Sequence, residues 1–286
     1  MKYITYEQSG GRSGHALKDI ASAIIFSLFD ENLELCFHDS WNNQKICQNF
    51  QIKNWKDISY KNIHELKIRG KAWDGISFEH FMSLMEMIKS LPDETMIIIK
   101  GVIRIHPNQL HNWHYEKLID KDLFSEKFIP ILKKSYYKHK QKILNQIAIH
   151  IRRGDIAKDM IECGWDLTFY KNLINKLQEK YPDKKIKIFM QNQGSEDLKD
   201  LSQIKNVQIN SPKGYFCHET INKDIREMVH SEIFIPSNCG LATWISYLSN
   251  QKVILPAEIL DWKDKKTLNI KHFYHKVLPK NFTLLS

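Results

Sequence analysis

Near the N-terminus the apolar positions pass from an extended pattern to a helical stripe and back. Lys2 to Tyr6 reads as a short strand, and a glycine-bearing turn follows, Ser9-Gly10-Gly11-Arg12-Ser13-Gly14. Leu17, Ile20, Ala21, Ile24, Ile25 and Leu28 then recur at helical spacing and make one apolar stripe. Leu33 to Phe37 returns to strand. Strand, glycine turn, helix, strand is the order of a βαβ unit.

From Trp41 to Lys142 the pattern is less regular. Phe78, Phe81, Met82, Leu84, Met85 and Ile88 predict a helix ending before Pro92, and Met96 to Ile99 a buried strand. Phe124 to Lys142 is expected to be helical with one break, at Pro130. The second half alternates clearly. Strands are predicted at Ile147–Ile151, Ile186–Met190, Val207–Ile209, Glu232–Ile235 and Val253–Leu255. Helices fall between them at Leu167–Lys180, Glu196–Leu201, Asp224–His230 and Leu241–Leu248. Such alternation predicts a parallel, doubly wound sheet. Two α/β domains follow, 1–142 and 143–286, with no internal repeat.

Composition narrows the class without naming a reaction. The 286 residues are 42% hydrophobic and 26% charged, which excludes a disordered or collagen-like chain. No apolar run reaches the ~20 residues of a membrane span, and the opening residues lack a signal-peptide pattern, so a cytoplasmic protein is expected. A net charge of +9 favours an anionic partner. The lysines are dispersed, with one denser run from Lys133 to Lys142 that interleaves Tyr136 and Tyr137 and reads first as a solvated helix face. Five cysteines without a C-x-x-C pair read as reduced thiols. His106, His111 and His114 could be drawn as a metal site, but Pro107 interrupts them and no further ligand stands at the right spacing. They are expected to lie in a loop, and no metal is expected.

Two segments carry chemistry. Ligands of doubly wound sheets bind beyond the carboxyl ends of the strands, where the second half has His150-Ile151-Arg152-Arg153-Gly154-Asp155. A guanidinium fork there fits a phosphate at any relevant pH, and Gly154 lets the backbone turn beside it. The alternatives are an arginine pair satisfied by carboxylates, or an exposed turn. The loop Pro236-Ser237-Asn238-Cys239-Gly240 opens the helix Leu241–Leu248, where unpaired N–H groups and the helix dipole favour phosphate oxygens. Simple capping by Ser237 or Asn238 is the alternative. Together the loops point to a nucleoside diphosphate.

His-x-Arg-Arg-Gly-Asp after an apolar strand, Thr168-Phe169-Tyr170-Lys171 opening the next helix, and the Ser/Asn loop before a Trp-bearing helix resemble the GDP-fucose-dependent fucosyltransferases. The similarity is to the α1,2- and α1,6-linking groups and the protein O-fucosyltransferases. Gly11-Arg12-Ser13-Gly14-His15 resembles that superfamily's G-x-x-G-N-Q segment, with His15-Ala16 in place of Asn-Gln. The resemblance implies a GT-B-like α/β fold, two Rossmann-like domains facing across a cleft. The acceptor side would be residues 1–142 and the GDP-binding domain 143–286. It implies no metal or other cofactor, since arginine stabilises the departing diphosphate. Arg152 and Arg153 would contact that diphosphate, with His150, Gly154 and Asp155 lining the site. Asp224 would meet the guanine edge, and Ser237, Asn238 and Cys239 would hold phosphate or ribose. Arg12, Gly14 and His15 would come from the N-domain.

The expected reaction is inverting transfer of L-fucose, or of another manno-series sugar, from a GDP donor to a glycan or lipid-linked glycan. Peripheral contact with the inner face of a membrane would fit such an acceptor. Inversion needs a base near the acceptor hydroxyl, and Asp155, Asp159 and Glu162 are the candidates; the resemblance favours Asp159 or Glu162, since the base proposed in relatives lies several residues downstream. Two rivals have sequence support. Asp120-Lys-Asp122 offers the D-x-D of a metal-dependent GT-A enzyme, but it follows a helical stretch. The net charge allows a nucleic-acid-binding protein, but no binding-module pattern accompanies it, and no nucleic-acid partner is expected.

Overall fold

A computed structural model describes residues 1–7, 13–38, 50–68, 76–101, 107–136, 142–154, 157–162, 164–190, 196–210, 218–237, 239–256 and 280–285. The chain divides into two compact units, Met1–His139 and Lys140–Ser286.

The first unit runs β1 (Lys2–Tyr6), α1 (Ser13–Leu28), β2 (Leu33–Leu35), β3 (Asn62–Ile68), α2 (Phe78–Ser90), β4 (Thr95–Gly101), α3 (Pro107–Tyr115) and α4 (Ile129–Tyr136). Its sheet is parallel with order β2-β1-β4-β3. Met96 to Ile99 are buried, the continuous apolar run of a strand covered on both faces. Leu17, Ile20, Ala21, Ile24 and Ile25 of the α1 stripe are buried and Leu28 is half-buried; Asp19, Ser22, Ala23 and Phe26 are buried too, so the helix is enclosed well beyond one face.

Three expectations change here. The segment around His111 and His114 is helix α3, not a loop, because Pro107 opens it: proline lacks only an N–H that the first turn leaves unpaired. Pro130 does not break its helix. A π-helical turn, Phe124–Phe128, runs directly into α4, and the Ile129 N–H bonds to the Phe124 carbonyl; the widened turn absorbs the proline. Tyr136 is buried against Phe50, so it is core rather than part of a solvated helix face, and Tyr137 lies outside the described residues. The β3 strand has alternating exposure and was not legible beside its polar neighbours.

The second unit runs β5 (Leu144–Ile151), α5 (Ala157–Glu162), α6 (Leu167–Lys180), β6 (Lys185–Met190), a 3-10 helix (Glu196–Gln203), β7 (Val207–Asn210), α7 (His218–His230), β8 (Ser231–Ile235), α8 (Gly240–Leu248), β9 (Lys252–Pro256) and β10 (Phe282–Leu285). The six strands are parallel with order β10-β9-β8-β5-β6-β7. Asp166 caps α6 by accepting from the Phe169 N–H at 2.9 Å. From β5 the chain steps outward through β6 to β7. Then α7 crosses back over β5, and β8, β9 and β10 extend the other edge. The winding reverses between β5 and β8, which opens a crevice at their carboxyl ends.

Candidate active site

That reversal gathers the predicted motifs. Ile149 of β5 pairs with Ile235 of β8, so His150 to Gly154 and Pro236 to Cys239 leave the sheet side by side. His150 Nδ1 lies 2.7 Å from Ser237 Oγ and 3.9 Å from Cys239 Sγ, and the Ser237 hydroxyl donates to that sulfur at 3.6 Å. Cys239, not Ser237 or Asn238, caps α8: its sulfur accepts from the Ala242 N–H at 3.5 Å. The helix begins at Gly240, which makes residue 239 the cap and turns Ser237 toward the histidine. Burial raises the Cys239 thiol, but His150, Arg152 and the Ala242 N–H together bring it down to about 6.

The adjacent arginines occupy different environments. Arg152 is part-exposed, and its charge reaches Cys239. Arg153 has no exposed surface. Its Nε and Nη2 donate to the two Asp197 oxygens at 3.2 and 2.9 Å, Nη2 also to the Trp165 carbonyl at 2.6 Å, and Nη1 to the Arg152 carbonyl at 3.0 Å. The guanidinium lies over the Tyr170 ring, 5.5 Å from its centroid. Arg153 is thus the arginine satisfied by a carboxylate, and its bond to the Arg152 backbone shapes the loop that carries Arg152. Gly154 has φ +74°, a conformation that disfavours any side chain. Asp197 and Trp165 escaped sequence reading. The signal for Asp197 was an acidic pair opening a helix just beyond a strand end.

The remaining candidates are placed less closely. Asp155, Asn238 and Arg12 lie outside the described residues; Gly14 falls in the first turn of α1, and the side chains of His15 in that turn and of Asp159 in α5 lie outside the described residues. Glu162 ends α5, is exposed, and sits 3.7 Å from Lys158. It lines an open groove of about 460 Å³ with Ala157, Lys158, Ile161, Glu196 and Asp197. Of the D-x-D, Asp122 accepts from the Ser125 N–H at 3.1 Å, just ahead of the π-helical turn. Among the described residues no three His, Cys, Asp or Glu side chains form a metal-ligating group, and no helix is long and apolar enough to cross a membrane.

Asp224 faces the far strands from α7. It accepts from Asn210 Nδ2 at 2.7 Å, and one turn on, Glu227 pairs with Lys187. His150, Phe189 and Asn210 are level in register, which puts Asn210 about 10 Å from His150 at ordinary strand spacing. Burial holds the Asp224 carboxyl above the usual carboxylate range, partly offset by the Asn210 bond. A folded-state value above the unfolded one makes the native state hold its proton to higher pH, so stability present at low pH is lost as pH rises through the folded value. Asp224→Asn removes that loss and keeps an acceptor for Asn210. Its stability advantage over wild type, measured by urea unfolding, is expected to grow from about pH 4 upward. A pH-independent difference would count against this.

No protein-family model and no curated protein matches the chain. A solved structure does: the Escherichia coli heptosyltransferase WaaC with ADP aligns over 99% of this chain and 92% of that one, with a TM-score of 0.52 and 11% identity. The fold is GT-B. At that identity the likeness concerns the fold and leaves the substrate to the site.

Proposed function

We propose that the chain is a glycosyltransferase that takes its sugar from a nucleoside diphosphate held in the second unit, with GDP-L-fucose the preferred donor. The observation carrying this reading is the convergence of His150, Arg152, Ser237 and the α8 N-terminus at the strand reversal between β5 and β8. Arg152, part-exposed beside Cys239, supplies a positive charge for the diphosphate; Arg153 holds the loop that carries it. Asp224 and Asn210 offer an acceptor and an amide at the distance of a base, and a carboxylate matches the N–H edge of guanine. The fucosyl preference rests on the sequence resemblance, and another manno-series sugar on GDP would meet the same contacts.

In the reaction the acceptor hydroxyl attacks the anomeric carbon, the bond from that carbon to the β-phosphate oxygen breaks, and GDP departs with the electron pair. The hydroxyl proton passes to a carboxylate, for which Glu162 is favoured because it lines the groove. Arg152 stabilises the charge gathering on the leaving group, an electrostatic role that calls for no metal. The first unit would bind the acceptor, a glycan or lipid-linked glycan, with Arg12, Gly14 and His15 near it and, for the lipid-linked case, contact with a membrane surface.

The test is a thermal-shift panel with GDP, ADP, UDP and CMP in the absence of added metal, followed by release of GDP from GDP-fucose and GDP-mannose. A ligand at about 100 times its Kd adds about 2.7 kcal/mol. Stabilisation by GDP above the others is expected. Stabilisation by ADP alone would move the donor to an adenine nucleotide, a response to UDP requiring manganese would favour the metal-dependent rival, and no nucleotide response would overturn the reading.

A further inference from the structure

The first unit's sheet carries a charged network toward its carboxyl end, where ligands of parallel sheets bind. Thr5 of β1 is level with Ile98 of β4, and on β3 Glu65 is level with Ile98 and Lys67 with Lys100. Strand residues two apart share a face, so Thr5, Glu65, Lys67, Ile98 and Lys100 stand on one face. Met96 and Ile98 pack there with Trp55, Ile58 and Tyr60, and the next position of β4 on that face is Lys100. Its ammonium lies 2.6 Å from Glu65 and 3.2 Å from Glu7, which follows β1 and whose N–H still bonds to the Ile99 carbonyl. All three side chains are part-exposed. Thr5 sets this network apart from an ordinary surface ion pair. It has no exposed surface, and among the described residues its hydroxyl has no hydrogen-bond partner. A buried hydroxyl is costly until something meets it.

With Lys67 the face holds two carboxylates and two ammoniums, which sum to no net charge and so favour neither a phosphate nor an amine. What it offers is alternating donors and acceptors. Lys100 has a third N–H beyond the two that meet its carboxylates, and each carboxylate has lone pairs to spare. Adjacent hydroxyls of a sugar ring, each both donor and acceptor, match that pattern. We propose that Glu7, Glu65 and Lys100 bind vicinal hydroxyls of an uncharged sugar ring, the acceptor end of the glycan, and that one hydroxyl enters between Glu7 and Lys100 to meet Thr5. The longer arm of the network, at 3.2 Å, is the one that gives way. A uronic acid is disfavoured, since it would set three carboxylates against two ammoniums. The acceptor role rests on the glycosyltransferase reading above; the binding of the sugar does not.

The test is saturation-transfer NMR of the full chain with the methyl glycosides of glucose, galactose and mannose and with methyl glucuronide. It is run on wild type, Lys100→Met, Glu65→Gln and Thr5→Val, each checked by its melting curve. Saturation of at least one neutral glycoside is expected, stronger than that of the glucuronide, with Kd raised about tenfold in Lys100→Met and in Glu65→Gln. Thr5→Val is expected to melt higher, because a methyl replaces a buried unmet hydroxyl, and to bind the glycoside less tightly. No saturation of any neutral glycoside, tighter binding of the glucuronide, or wild-type affinity in Thr5→Val or in the two charge variants would overturn the site. The glycoside that binds is then added to GDP-fucose. Faster GDP release is expected, with a higher KM for the glycoside in Lys100→Met; no acceleration would overturn the acceptor role. The melting shift with GDP alone keeps the two readings apart. A chain that responds to GDP and ignores the glycosides loses this site and keeps its donor, whereas one that binds a glycoside through Lys100 and ignores GDP keeps the site and loses the donor reading.

Discussion

Asp197→Ala lowers the stability of the second unit by about 3 kcal/mol, a fall of about 10 °C in melting temperature. The reason is the guanidinium it leaves behind. Arg153 has no exposed surface, and two of its donors end on the Asp197 carboxylate, whose own side chain is 26% exposed. Removing the arginine would leave a carboxylate that water can reach. Removing the carboxylate leaves a buried cation with two backbone carbonyls and a ring face, which do not neutralise it. Burial also weakens salt screening, so the loss persists in 1 M sodium chloride, unlike that of a surface pair such as Lys158–Glu162. Replacing both partners with apolar groups, Arg153→Met with Asp197→Leu, is expected to recover most of the stability, because the cost lies in the unpaired charge. Urea unfolding of the single and double variants checks this. A loss below about 1 kcal/mol for Asp197→Ala would mean that water reaches Arg153.

Arg152→Ala is expected to lower kcat/KM for a GDP-sugar by about 10²–10³-fold while leaving the melting temperature within a degree or two. The two adjacent arginines therefore separate by readout. Asp197→Ala is expected to act first on folding through Arg153, and Arg152→Ala on the proposed nucleotide contact. Arg152→Lys restores charge but not the planar fork, so it should recover only part of the rate. Steady-state kinetics with GDP release as the signal decide it. Equal activity in Arg152→Ala and wild type would remove this residue from the donor site.

Much of the second unit was legible because a covered parallel strand is apolar along its whole length. Ile147 to Ile151 and Val253 to Leu255 announce themselves for that reason. Some weaker elements were not. β3, in the first unit, exposes alternate residues, and β10 closes the edge of the second unit's sheet with only Phe282 and Leu285 buried. Such segments gain their stability from neighbours that a local pattern does not contain. Pro107 and Pro130 mislead for a related reason. Proline forbids a helix interior but suits a first turn, and a π-helical turn lets the chain pass it; the choice depends on packing of Phe124 and Phe128, both buried.

The site divides the same way. Residue type and strand position singled out Arg152, Arg153 and Ser237, since polar groups directly after buried strands are costly unless something meets them; the family resemblance added His150 and Cys239. What meets them depended on chain segments far apart in sequence. Asp197 arrives from beyond β6 and takes Arg153 into the interior; β8 brings Ser237 to His150; the start of α8 at Gly240 makes Cys239 the cap. The sequence by itself determined the α/β class, the strand tips that carry the chemistry and the positive charge placed there. Tertiary structure decided which arginine is buried, which side chain caps α8 and which thiol is activated, because burial and charge pairing are properties of neighbours in space and not of neighbours along the chain.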